Sequence, residues 1–156
     1  MADRFSLSAG GRQVKRRVLD SDTLSYLIKG LSPAMERAKA YLRVHPRLSF
    51  GIITYYEVRR GLLYRDARRQ LPLFEELANR SEVIALDMKV ADVAAAIYAD
   101  LRRQGWVIAD ADLLIAATAI AHDAILVTSN EAHYARIPGL ELENWMELKE
   151  GDEEAR

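Results

Sequence analysis

Apolar positions fall in short blocks along the chain, some at strand spacing and some at helix spacing. Arg17, Val18 and Leu19 open as a strand that stops at Asp20-Ser21-Asp22, residue types that favour caps and turns over strand interiors. A helix is expected over 23–29, closed by Gly30. Pro33 opens another that runs to about 44, where Pro46 stops it. Residues 48–52 read as a second strand. Thr54 and Glu57 have capping-box spacing, and the helix they introduce carries a basic face past Gly61 toward Asn79. A third strand is expected at 81–86. Val90, Val93, Ala94, Ile97 and Leu101 recur at helical spacing in a helix over 88–104 that Gly105 ends. The apolar run 113–117 suits a buried helix over 110–122. A buried strand at 124–128, a small helix at 131–135 and a last strand near 140–143 complete the pattern.

Strands alternating with helices imply right-handed crossovers and an α/β fold, with a mainly parallel sheet covered on both faces. The functional crevice of such a sheet lies beyond the carboxyl ends of its strands. Asp20 and Asn130 each follow a predicted strand. Glu57, Asp110 and Asp112 fall in the predicted first turns of helices starting at that same edge, so the topology gathers acids in one place.

Composition narrows the chemistry. A chain of 156 residues with 50% hydrophobic content suits one domain with one core. It has no cysteine, which removes disulfides and thiolate zinc sites and leaves oxygen or imidazole donors for any metal. His45, His122 and His133 show no ligand spacing, and His122 reads as a dipole partner at a helix C-terminus. No apolar run reaches the roughly 18 residues of a membrane span, and Asp3 and Arg4 stand where a signal peptide needs apolar residues, so a cytoplasmic protein is expected. There is no G-x-S-x-G elbow and no phosphate loop. Trp106 and Trp145 are expected to pack.

The net charge of −1 does not announce a nucleic-acid binder, but its distribution is uneven. Arg12, Lys15, Arg16 and Arg17 form one basic run; Arg59, Arg60, Arg65, Arg68 and Arg69 form another; Glu147, Glu150, Asp152, Glu153 and Glu154 make the end acidic. Arg59 and Arg60 stand directly behind Glu57, and taken as charge alone these runs read as solvated helix faces.

Each acid singled out has a simple alternative, because carboxylates at helix N-termini cap free N–H groups and suit the helix dipole. Together they repel and raise one another's pKa unless a cation compensates. Mg²⁺ or Mn²⁺ does so with carboxylate and water ligands. Spacing alone leaves both readings standing.

The motifs VLDSDTLSYLIKG, ITYYEVRRGLL, DADLLIAATAIA and ILVTSN followed by HYARIPGLELENW occur in order. The chain resembles the PIN-domain family, in particular the VapC toxins of bacterial toxin–antitoxin pairs, over 18–145. The resemblance implies a PIN-like three-layer α/β/α sandwich at 18–146, with an N-terminal extension at 1–17 and an acidic tail at 147–156. It implies an endoribonuclease that hydrolyses RNA with a metal-activated water, with Arg59 and Arg60 as the expected RNA-docking residues against the alternative of a solvated basic face. Asp20, Glu57 and Asp112 would hold Mg²⁺ or Mn²⁺, while Asn130 acts with them and Ser21, Asp110 and Thr128 support them. It also implies a small antitoxin protein that blocks the active site, and a homodimer. Two positions depart from the family pattern. Asp22 stands where Asn or Ser is commoner, and Asn130 where many members carry a fourth Asp, which favours one ion over two.

Two rivals remain at this stage. Asp20-Ser21-Asp22 after a strand also looks like the opening of an Asp-nucleophile phosphatase of the haloacid-dehalogenase type, although Leu24 stands where that family has Thr or Val. A catalytically weak PIN-like RNA-binding module is the other.

Overall fold

The computed structural model describes residues 15–148, so Arg12, most of the N-terminal extension and the acidic tail past Leu148 lie outside the described residues. In chain order the elements are β1 (Arg17–Leu19), α1 (Ser21–Ile28), α2 (Ala34–Leu42), β2 (Ser49–Gly51), α3 (Ile52–Tyr64), α4 (Gln70–Arg80), β3 (Glu82–Ile84), α5 (Met88–Arg103), α6 (Asp110–Ala121), β4 (Ile125–Val127), α7 (Glu131–Tyr134) and β5 (Leu142–Glu143).

Every strand pairing is parallel. β1 pairs with β4 and β4 with β5, while β2 pairs with β3, and β1 and β2 lie side by side to join the two sets. Val18 stands opposite Leu126 and Leu19 opposite Val127. A strand sends successive side chains to opposite faces. Val18 and Leu126 accordingly pack with α5 and α6 residues such as Ile97 and Ala116, and Leu19 and Val127 with Leu24, Phe50, Val58 and Phe74 from the α1–α4 side. Two cores, one on each face of the strands, make the expected α/β/α layering.

α1 begins at Ser21 rather than at 23 because Asp20 is its cap, its Oδ1 accepting from the Thr23 amide at 2.8 Å. The capping box expected at Thr54 and Glu57 does not form. α3 already starts at Ile52 with Gly51 as N-cap, which places Glu57 in the second turn instead of the first. Thr54 is fully buried with its hydroxyl unpartnered. Gly51 also permits close packing, since a Cβ there would meet the Thr118 Cγ2 of α6 at 3.3 Å.

The single helix expected from 54 toward 79 is two. α3 ends where Asp66 adopts a left-handed φ of 50°, with Asp66 N–H donating to Leu63 O and Ala67 N–H to Leu62 O. Aspartate tolerates that conformation better than most residues. Pro72 falls in the first turn of α4, where a missing N–H costs nothing.

Candidate active site

β1 delivers Asp20 to the sheet edge, where its main-chain N–H donates to Val127 O at 3.0 Å and ties it to the end of β4. Only 5% of Asp20 is exposed, and burial pushes its carboxyl above the ordinary carboxylate range. Hydrogen bonds from the Thr128 hydroxyl and the Thr23 amide act against that shift. The cap uses Oδ1, and the residue lines the cavity beside it.

Glu57 enters from α3. Ser21 Oγ donates to its Oε1 at 2.7 Å, and Arg60 Nη2 lies 3.6 Å from its Oε2. Asp112, in the first turn of α6, is held from the opposite side by α7: His133 Nε2 lies 2.9 Å from Oδ2, and Tyr134 Oη donates to Oδ1 at 3.4 Å. Burial first, and then the charge of Asp112, raises the Tyr134 hydroxyl far above its usual range, so it remains a donor. Thr128 Oγ1 accepts from the Asn130 amide at 3.0 Å and shapes the turn that brings Asn130 to the edge.

These groups meet around a cavity of about 270 Å³. The carboxylates of Asp20, Asp22, Glu57 and Asp112 line it with Ser21, Asn130, His133 and Tyr134, and no lysine or arginine does. The structure therefore brings together Asp20, Glu57, Asp112, Asn130 and Ser21, with Thr128 behind Asp20. Asp110 is not among them. It is the first residue of α6, not its cap, and it faces a shallow depression beside Tyr98 and Leu114. Arg59 also turns away, toward α4, where Glu75 holds it at 3.3 Å, and Arg60 lies beside Glu57 without lining the cavity, so neither expected docking arginine is part of its wall.

Sequence reasoning missed His133 and Tyr134. The signal was present, since the small helix expected at 131–135 begins at the same sheet edge as Asn130. Asp22 gains a position, at the mouth on the first turn of α1. Trp145 packs as expected, buried, with Nε1 donating to Glu143 at 2.9 Å. Trp106 does not pack: it is 43% exposed and lies under the guanidinium of Arg136.

Comparison with known proteins gives this arrangement a family. A PIN-domain model matches residues 17–140. The tRNA(fMet)-specific endonuclease VapC of Salmonella typhimurium is 31% identical over 129 residues, 82% of this chain and 96% of that protein. The chain belongs to the PIN-domain family, in its VapC branch. Ribonuclease VapC2 of Rickettsia felis is 42% identical over 67 residues, a match that spans 43% of this PIN-domain chain and only half of that relative. Among solved structures, the DNA-bound VapBC complex of Salmonella typhimurium superposes with a TM-score of 0.76 at 28% identity, covering 85% of this chain and 99% of that one. The Asp-nucleophile phosphatase reading falls with this assignment, and the cavity also lacks the lysine such an enzyme needs beside its aspartyl phosphate.

PIN-domain nucleases generally depend on a divalent metal, and the donors here suit one. All are hard oxygens apart from His133, and the carboxylates face one another with no basic side chain lining the space between them. Among the described residues no three acids or histidines already form a close ligand cage, and each carboxylate has its own anchor: Ser21 for Glu57, the α1 cap for Asp20 and α7 for Asp112. That arrangement suits an ion that keeps several of its waters.

Proposed function

We propose that this PIN domain is a Mg²⁺- or Mn²⁺-dependent endoribonuclease, the toxin of a toxin–antitoxin pair, that cuts RNA at the acidic cavity. The observation that carries the reading is the convergence on one cavity of Asp20, Glu57 and Asp112, three acids far apart in sequence, in a chain similar to VapC ribonucleases over most of its length.

When bound, the ion supplies charge to offset the phosphate and makes a water nucleophilic at neutral pH. Asp20, Glu57 and Asp112 are its holders. Ser21 fixes Glu57, His133 and Tyr134 fix Asp112, and Thr128 fixes both Asp20 and the turn to Asn130. The Asn130 side chain makes no cap bond to α7, which leaves its amide for a phosphate oxygen. Hydrolysis adds water to phosphorus as the bond to the leaving ribose oxygen breaks, and no side chain serves as a covalent nucleophile. Asn130, in place of a fourth carboxylate, favours a single resident ion.

The antitoxin is a small protein that blocks the cavity, and the toxin works as a homodimer. An RNA substrate makes the cytoplasm its working compartment. Among the described residues, no helix is long and apolar enough to cross a membrane. Cleavage of RNA with Mg²⁺ or Mn²⁺, compared between wild type and Asp112→Asn, tests the reading. Activity that survives excess chelator would contradict it.

A further inference from the structure

The segments before α6 and just after α7 carry an exposed aromatic–cation stack that neither core accounts for. Trp106, in the loop between α5 and α6, belongs to neither hydrophobic cluster. Arg136, two residues past α7, places its guanidinium carbon 3.5 Å from the centre of the indole ring. Among the described residues no carboxylate is paired with Arg136. Both residues border elements that build the cavity. Trp106 precedes the first turn of α6, which carries Asp112. Arg136 follows Tyr134, whose hydroxyl contacts Asp112, and two residues of chain reach at most about 7 Å.

The placement matters because a cavity of carboxylates repels the phosphates it must receive. A substrate chain needs cations and sticking points at the mouth. On the α3 side, Arg59 is neutralised by Glu75 and Arg60 by Glu57. Arg136, after α7, has no carboxylate partner among the described residues, and Arg102, in the last turn of α5, lies over Tyr98 at 5.7 Å. A flat guanidinium and an exposed indole are the surfaces on which unpaired bases stack, whereas bases within a duplex offer no free face.

We propose that Trp106 and Arg136 form a nucleobase-stacking subsite for single-stranded RNA at the mouth of the acidic cavity; this rests on the ribonuclease reading. The chain supplies its own reporter. Of its 2 tryptophans, Trp145 is 2% exposed, so a quencher arriving from solvent reads Trp106. The full chain carrying Asp112→Asn, which binds without cutting, is titrated with a short uridine-rich single-stranded RNA while tryptophan emission is followed. Saturable quenching is expected, and little with a duplex RNA. Trp106→Ala should weaken binding by about 5- to 150-fold, the range for losing one base–aromatic stack. Trp106→Phe should keep most of the affinity, and Arg136→Gln should lose part of it. In the metal-loaded enzyme with Asp112 intact, Trp106→Ala should raise KM while kcat is largely kept.

Unmoved emission with affinity unchanged in Trp106→Ala would overturn the subsite. Cleavage of the same RNA by wild type then separates the two claims: if it is cut, only the subsite falls, and if it is neither cut nor bound, both fall. A Trp106→Ala chain that binds RNA normally but no longer self-associates in sedimentation would make the patch a protein contact and would also overturn the subsite.

Discussion

Asp20 commits one oxygen to the α1 cap while almost the whole residue is buried, and burial works against its charge. Asn keeps the shape and caps a helix equally well. Asp20→Asn is therefore expected to abolish cleavage and yet raise the stability of the metal-free protein by on the order of 1 kcal/mol, the ordinary scale of one substitution. Cleavage assays and melting curves on one preparation check both halves; a variant that melts lower and still cuts would refute the assignment. His133 is the residue to test on the other wall. It fixes Asp112 without needing to touch the ion, and outer-shell partners of this kind typically change metal affinity about 10- to 100-fold. His133→Ala should weaken Mn²⁺ binding, followed by electron paramagnetic resonance, by that factor, and His133→Gln should recover part of it. Asp20 and Asp112 were legible in the sequence because one follows a strand and the other opens a helix, while Glu57, expected in a first turn, lines the cavity from the second turn of α3. The hold of α7 on Asp112 was not legible, because it joins side chains from separate elements and no local periodicity reports such a contact.

Among the elements, the strands and most helices follow their apolar spacing, and the departures come from local backbone chemistry. Thr54 and Glu57 have the letters of a capping box, yet tertiary contacts take both side chains: Thr54 is buried, and Glu57 turns to Ser21. The break between α3 and α4 depends on Asp66, whose left-handed φ a pattern of apolar positions does not encode; Pro72, in the first turn of α4, was the signal that went unused. The side chain of Asp66 is mostly exposed, so backbone conformation dominates what a substitution there does. Asp66→Val, β-branched in a left-handed position, is expected to cost about 1–2 kcal/mol. Urea denaturation measures it, and a change within about 0.3 kcal/mol would show that the turn does not constrain this position. Cleavage by the folded variant should be unaltered, since the α3–α4 turn is remote from the cavity lining.

For the whole molecule, parallel strands with a core on each face bring the ends of β1 and β4 and the starts of α1, α6 and α7 to one edge, and the acids follow. An ion that binds only this folded arrangement stabilises it by RT ln(1 + [L]/Kd), about 2.7 kcal/mol at a hundredfold excess over Kd. The melting temperature should therefore climb with Mn²⁺ concentration in wild type, hardly move in Asp20→Asn, and fall back when chelator is added. One assay decides whether the gathered carboxylates cut RNA through a bound divalent ion. Wild type and Asp112→Asn are incubated with a single-stranded RNA in Mn²⁺ and in excess chelator, and product ends are mapped. Internal cuts are expected from wild type with metal alone and none from the variant under either condition; equal cutting by both proteins, or cutting that persists in chelator, would rule out metal-dependent cleavage at these carboxylates.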